Sequence, residues 1–271
     1  MAKISIIGCG NLGKAIVKSS IYSGTFKGNI KASINTAIKL KSVKEETGIN
    51  MVETSNKNLE VIKDSDYVIL CVKPTQVKSV LIDIGAHLGP GQILISTAAG
   101  VDLKYIKRFV GVGHPIIRCM PNLSISLGTG VVGIYSDNVK VNDLNKMITR
   151  VFKDSLVLYL DREDKMDAIT TISGCGPAFF SYFAKQIYYT GKSLGLTEME
   201  SSMITKHTLY GTGSLLYENS FDDVITKVAS KGGATEAGLE NMTNFKLNHT
   251  IDNSIHESYR RIKNIKHKLE E

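Results

Sequence analysis

The feature that most restricts the fold is a series of short apolar runs in the first 160 residues. They are KISIIG (3–8), IKASI (30–34), DYVILCV (66–72), QILIST (92–97), IIRCM (116–120), VVGIY (131–135) and SLVLYL (155–160). The runs are rich in Ile and Val and lack the polar alternation of a strand with one wet face. They predict strands buried on both sides, as in a parallel sheet covered by helices. Between them the pattern predicts helices over 11–23, 37–48, 56–64, 75–88, 102–109 and 141–153. Strand and helix in this alternation predict a doubly wound α/β domain with a mostly parallel sheet.

After Asp164 the pattern changes, and helices are predicted over 163–172, 177–195, 198–218, 221–230, 235–247 and 250–270. Tyr182, Phe183, Ile187, Tyr188 and Gly191 share a helical face and read as the core of a bundle. No linker rich in Pro, Gly or Ser separates the halves. The expected division is therefore a change of class, giving domains 1–162 and 163–271.

The 271 residues can bury a sizeable core, and 42% hydrophobic with 22% charged residues is a globular composition. The net charge of +7 comes from scattered Lys and Arg, and the one dense cluster, RRIKNIKHKLEE, reads as a solvated helix face. Such a field suits phosphorylated or carboxylated small molecules. With no zinc spacing and no basic stripe interleaved with aromatics, nucleic acid is not an expected partner. Cys9, Cys71, Cys119 and Cys175 are far apart, so reduced thiols and a cytoplasmic location are expected. The opening MAKISIIG is too short for a signal peptide, and no apolar stretch is long enough for a bilayer. No metal is expected: His249 and His256 lack a carboxylate at ligand spacing, and His114 lacks a motif.

GCGNLG, Gly8 to Gly13, matches G-x-G-x-x-G directly after a predicted strand and directly before a predicted helix. Gly8 permits the tight turn, Gly10 lets backbone approach a pyrophosphate, and Gly13 allows close helix–strand packing. The helix start, with Asn11 and Leu12, offers free N–H groups to the phosphates. A site that prefers NADH places an acid about 20 residues on, at the end of the second strand. Here that segment, KASINTAIKLK (31–41), has no acid before Glu45. Ser33, Asn35 and Thr36 can hydrogen-bond there, and Lys39 is near. NADPH is the expected cofactor, with use of NADH left open. In an open parallel sheet the ligand lies at the carboxyl ends of the strands. Val72, Lys73 and Pro74, then Ala98, Ala99 and Gly100, then Asn122 stand at three such ends and complete the candidate cofactor set.

GCGNLG, CVKP (71–74), STAAGV (96–101), RCMPN (118–122), SGCGPAFF (173–180) and SKGGATEAGL (230–239) occur in the order and spacing of pyrroline-5-carboxylate reductases, which the chain resembles from Lys3 to at least Met242. The first motif is shared with many dehydrogenases; the last two are far more specific. The resemblance implies a Rossmann-type NADP-binding domain followed by an all-helical dimerisation and substrate domain. It implies a homodimer, which in the family is often built into decamers, and reduction of 1-pyrroline-5-carboxylate to proline. It further implies that Asn56 contacts the adenosine end of the cofactor. The amides of Gly232, Gly233, Ala234 and Thr235 would hold the substrate carboxylate, with the Thr235 hydroxyl beside the ring nitrogen as the catalytic group. Three positions depart from the usual pattern: Lys231 stands for Pro, Cys175 for Ser and Phe179 for Tyr.

Read from the residues alone, Gly232 and Gly233 break a helix that restarts near Thr235, and the restart exposes N–H groups to an anion. Thr235 can cap that restart or offer its hydroxyl outward. The chain shows neither a Ser-His-Asp set nor paired carboxylates, and hydride transfer to a protonated imine needs neither. The alternatives are a related reductase of another substrate and an NADPH-binding redox sensor without turnover.

Overall fold

The computed structural model describes residues 2–25 and 27–270; Met1 and Glu271, the outer limits of the expected domains, lie outside them. The chain divides into two compact units, one of Met1–Cys175 with Ser258–Glu271 and one of Gly176–Glu257.

In the first unit strands and helices alternate. β1 (Ile4–Ile7) leads to α1 (Asn11–Tyr22), β2 (Ile30–Ile34) to α2 (Leu40–Thr47), and β3 (Met51–Thr54) to α3 (Asn58–Ile62). β4 (Tyr67–Leu70) leads to α4 (Pro74–Ile84) and β5 (Ile93–Ser96) to α5 (Leu103–Val110). β6 (Ile116–Pro121), β7 (Val131–Tyr135), α6 (Val141–Val151), β8 (Leu156–Tyr159) and α7 (Lys165–Ile169) follow. The eight strands form one sheet in the order β3-β2-β1-β4-β5-β6-β7-β8. Only β6 and β7 pair antiparallel. This is the Rossmann-like, mostly parallel architecture expected from the apolar runs.

The strands bury both faces, because successive side chains point to opposite sides. Ile4, Ile6, Ile30, Ile69 and Ile117 join Ile16, Val43 and Met147 in one core layer. Ile7, Val68, Leu70 and Leu94 join Val61, Val77, Leu81 and Ile106 in the other. β3 was not expected from the sequence. Its four residues, MVET, form an edge strand with one fully buried position, too few and too polar to register as an apolar run.

The order of strands reverses between β1 and β4, so their loops diverge and leave a crevice at the carboxyl ends.

The second unit holds α8 (Gly176–Ser193), α9 (Glu198–Leu215), α10 (Phe221–Val228), α11 (Ala234–Asn244) and the start of α12 (Leu247–Glu270). Thr197 and Glu200 form a capping box on α9, and Ser220 and Asp223 form one on α10. A side chain at Gly191 would collide with the Ser201 hydroxyl, which donates to the Tyr188 carbonyl at 2.7 Å, so glycine permits the close α8–α9 approach. The expected bundle core is not closed within one chain. Tyr182 is 69% exposed, and Phe180, Phe183 and Ile187 are exposed with it. None of the buried hydrophobic side chains among the described residues falls between Gly176 and Glu257. The helical faces are apolar as read, and they stay exposed among the described residues.

Candidate active site

The crevice in the first unit is a cavity of about 520 Å³. It is lined by Gly8, Cys9, Gly10, Asn11 and Lys14 after β1, by Ser33, Asn35, Lys39 and Ser42 around the end of β2, and by Cys71, Val72, Lys73 and Gln76 after β4. Ser55 and Asn58 close one side.

The three motif glycines have distinct physical reasons. Gly8 has φ +91, and a Cβ there would sit 2.6 Å from Val72 Cγ1. A Cβ on Gly13 would meet the Gly8 carbonyl at 3.0 Å and Ile6 at 3.3 Å, the contact that seats α1 on β1. A Cβ on Gly10 would meet nothing within 4 Å: its surroundings are open, as close approach by a pyrophosphate requires. Gly10 caps α1 without a side chain, so the first N–H groups of the helix receive no side-chain acceptor at that cap.

None of the lining residues is Asp or Glu, and three are Lys. Lys14 pairs with Glu46 at 2.7 Å, and Ser42 donates to the same carboxyl at 2.7 Å. These partners, Lys14 first, hold the Glu46 pKa below its ordinary value. Lys39 and Lys73 bring further positive charge to the cavity. The donor set fits a ligand with several phosphates. Burial pushes the Cys9 thiol up to about 12, with Lys14 pulling it partly back, and burial also pushes Cys71 up to about 12. Both thiols are therefore inert at neutral pH.

Gly8, Gly10, Asn11, Ser33, Asn35, Val72 and Lys73 thus share one cavity. Leu12, Gly13 and Pro74 do not line it; Pro74 occupies the first position of α4, where its missing N–H costs nothing. Asn56 does not line it either: its side chain accepts from the Thr54 hydroxyl in the short turn before α3. Asn58 lines it instead, only 3% exposed. It accepts from the Ser33 hydroxyl at 2.6 Å and donates to Asp83 at 3.1 Å. The signal was present in NLEVI: Asn58, Val61 and Ile62 share one helical face, and that face is buried.

The loop after β5 carries Ala98, Ala99 and Gly100, none of which lines the cavity. Gly100 has φ +70, and a Cβ there would meet the Ile262 carbonyl at 2.9 Å and Ile265 at 3.1 Å. The last turns of α12 therefore require this glycine. They also hold the loop through Lys266, 3.0 Å from Asp102. Asp102 caps α5 by accepting from Tyr105 N–H at 2.7 Å. Burial, the largest influence on Asp102, acts to raise its pKa; Tyr105 N–H and Lys266 outweigh it and hold the pKa low. Asn122 also lies apart from the cavity. Its carbonyl oxygen accepts from the N–H groups of Ser124 and Val131, and its amide donates to Ser173.

In the second unit the turn before α11 is built from Ser230 to Glu236. Gly232 has φ +71 with open space where a Cβ would be, and a Cβ on Gly233 would sit 2.8 Å from the Ser230 carbonyl. Gly233 N–H donates to that carbonyl at 2.9 Å. Gly232 N–H donates to Glu236 Oε2 at 2.6 Å. Gly233 is the N-cap, so Thr235 is the second helical residue and not the cap. Thr235 is exposed, and no hydrogen bond of its hydroxyl is found among the described residues. The N–H groups of Ala234 and Thr235 open the helix.

Residues 163–265 match the family described as pyrroline-5-carboxylate reductase dimerisation. Residues 3–100 match NADP oxidoreductase coenzyme F420-dependent. A pyrroline-5-carboxylate reductase of Pseudomonas aeruginosa is 30% identical over 88% of this chain and 87% of its own length. The chain belongs to the pyrroline-5-carboxylate reductase family.

A reductase structure from Coxiella burnetii is 27% identical, with a TM-score of 0.81 over 97% of this chain and 98% of that one. The Plasmodium falciparum pyrroline carboxylate reductase, crystallised with NADP bound, has the same fold, with a TM-score of 0.87 at 23% identity over 98% of both chains. Membership in a family with a dimerisation domain accounts for the bare apolar faces of α8 and α9: the protein is an oligomer. No described helix is long and apolar enough to cross a membrane. Among the described residues no group of His, Cys, Asp and Glu could hold a metal.

Proposed function

We propose that this protein reduces 1-pyrroline-5-carboxylate to proline with NADPH, as a homodimer in the cytoplasm. The relation to the Pseudomonas reductase along 88% of the chain carries this reading. The cytoplasmic placement rests on four free thiols, which persist in a reducing compartment. Residues 1–162 would hold the cofactor, and 163–271 would hold the partner subunit and the substrate.

The cavity supports the choice of cofactor. Lys14, Lys39 and Lys73 favour phosphate, and the absence of an acid among the lining residues removes the repulsion that a 2′-phosphate would meet. Asn58, fixed by Ser33 and Asp83, would border the adenosine end, where the family resemblance also puts Asn56. The loop of Ala98, Ala99 and Gly100, held by the end of α12, and Asn122 would border the nicotinamide.

When bound, NADPH supplies the hydride. The chain's own residues bind and orient the imine. The helix start at Ala234 and Thr235 would receive the carboxylate on free N–H groups at the positive end of α11. The unengaged Thr235 hydroxyl would hydrogen-bond the ring nitrogen and help keep a proton there. Holding both reactants in register contributes several kcal/mol, roughly 7 in favourable cases.

The test is oxidation of NADPH by the purified protein with and without 1-pyrroline-5-carboxylate, repeated with NADH. Imine-dependent oxidation, faster with NADPH at low cofactor, is expected. Tight NADPH binding without turnover on any cyclic imine would favour a redox sensor instead.

A further inference from the structure

The turn before α11 already holds a carboxylate, its own. Gly233 N–H is engaged by the Ser230 carbonyl. Gly232 N–H is engaged by Glu236 Oε2 at 2.6 Å, the short distance of a charge-assisted bond. Glu236 is the third residue of α11, from which a carboxylate commonly reaches back to the helix start. In an ordinary capping box that reach is matched by a cap side chain. Gly233 has none, and its N–H is already taken, so the carboxylate passes over it to Gly232.

Two consequences follow for an incoming carboxylate. It must share the helix start with a resident negative charge a few ångströms away. It also gains the Gly232 N–H only if Glu236 withdraws.

We propose that Glu236 is a specificity-determining residue, which occupies the Gly232 amide and sets the affinity for the substrate's carboxylate. The inference rests on the Gly232–Thr235 turn being the carboxylate cradle of the proposed reductase. Glu236 touches no reacting atom; it acts through charge and through the amide it covers.

Glu236→Gln separates these effects from folding. Glutamine keeps an acceptor for Gly232 N–H and the shape of the turn, and removes the charge. Steady-state kinetics at saturating NADPH would be measured on 1-pyrroline-5-carboxylate and on 1-pyrroline, the same ring without the carboxylate. KM for the carboxylate substrate falls about three- to tenfold, the size expected for one like charge removed at close range in partly wet surroundings. Its kcat stays within about twofold, as for a change in ground-state binding, and KM for 1-pyrroline does not move. Glu236→Ala, which also frees the Gly232 amide, lowers KM for the carboxylate substrate at least as far. Equal shifts on both substrates, or none on either, would overturn the role of Glu236. A wild-type protein that does not turn over 1-pyrroline-5-carboxylate would overturn the proposed function itself, and this inference with it.

Discussion

The sheet unit and the helical unit solve the same problem of burial in opposite ways. In the first, Ile4, Ile6, Ile69, Leu94 and Ile117 are fully inaccessible, sealed by helices of the same chain. In the second, Phe180, Phe183, Ile187, Met203 and Tyr210 sit on helices and stay 42–77% exposed. Fully burying such a side chain stabilises by about 1.5–3 kcal/mol, and the second unit forgoes this many times over as a single chain. The sheet unit can hold its cradle unaided. The sheet unit closes its core within one chain and the helical unit does not, so assembly is expected to matter most for the helical unit.

The harshest way to break this contrast is a charge on the bare face. Phe183→Asp should yield a monomer by light scattering and lower the unfolding temperature by about 10 °C or more, given the several kcal/mol carried by such an anchor. Imine reduction should be lost while NADPH still binds. A stable, active dimer would contradict the reading of α8 as an interface.

Next in size is a pair inside the cradle. Gly8→Ala places a Cβ 2.6 Å from Val72 Cγ1 at φ +91, and should cost about 3 kcal/mol and most NADPH binding. Gly10→Ala meets no atom of the protein and should leave the unfolding temperature within about 2 °C. It should still weaken NADPH at least about tenfold, by blocking backbone approach. Equal effects of the two in thermal shift and cofactor titration would refute their separate roles.

The smallest expected effect is in pH. Asp102 has a pKa held below its ordinary value in the folded state, so its stabilisation is present above the unfolded value near 4. It is lost as pH falls through the folded pKa. Asp102→Asn should therefore unfold at a lower temperature than wild type at pH 7, and the two should converge as pH falls through the folded pKa of Asp102. A constant gap across that range would rule out the Lys266–Asp102 pairing as the cause.

The sheet was legible because burial on both faces leaves unbroken runs of Ile and Val, and GCGNLG sits where one such run meets a helix. β3 was hidden because an edge strand needs few apolar residues. Asn56 entered through the family resemblance; Asn58 was not singled out, although the helical face it shares with Val61 and Ile62 is readable in NLEVI. The requirement at Gly100 could not be read, since it is imposed by Ile262 and Ile265, far away along the chain. Glu236 was passed over for the opposite reason: it lies inside the motif, but its reach to Gly232 depends on a side-chain rotamer that the sequence does not specify.

The central claim is that the Thr235 hydroxyl, at the start of α11, takes part in reducing an imine with NADPH. Thr235→Ala tests it most directly when turnover and cofactor affinity are measured on one preparation. The account predicts an NADPH dissociation constant within about twofold of wild type and a kcat on 1-pyrroline-5-carboxylate lowered about ten- to a thousandfold. An unchanged kcat would contradict it.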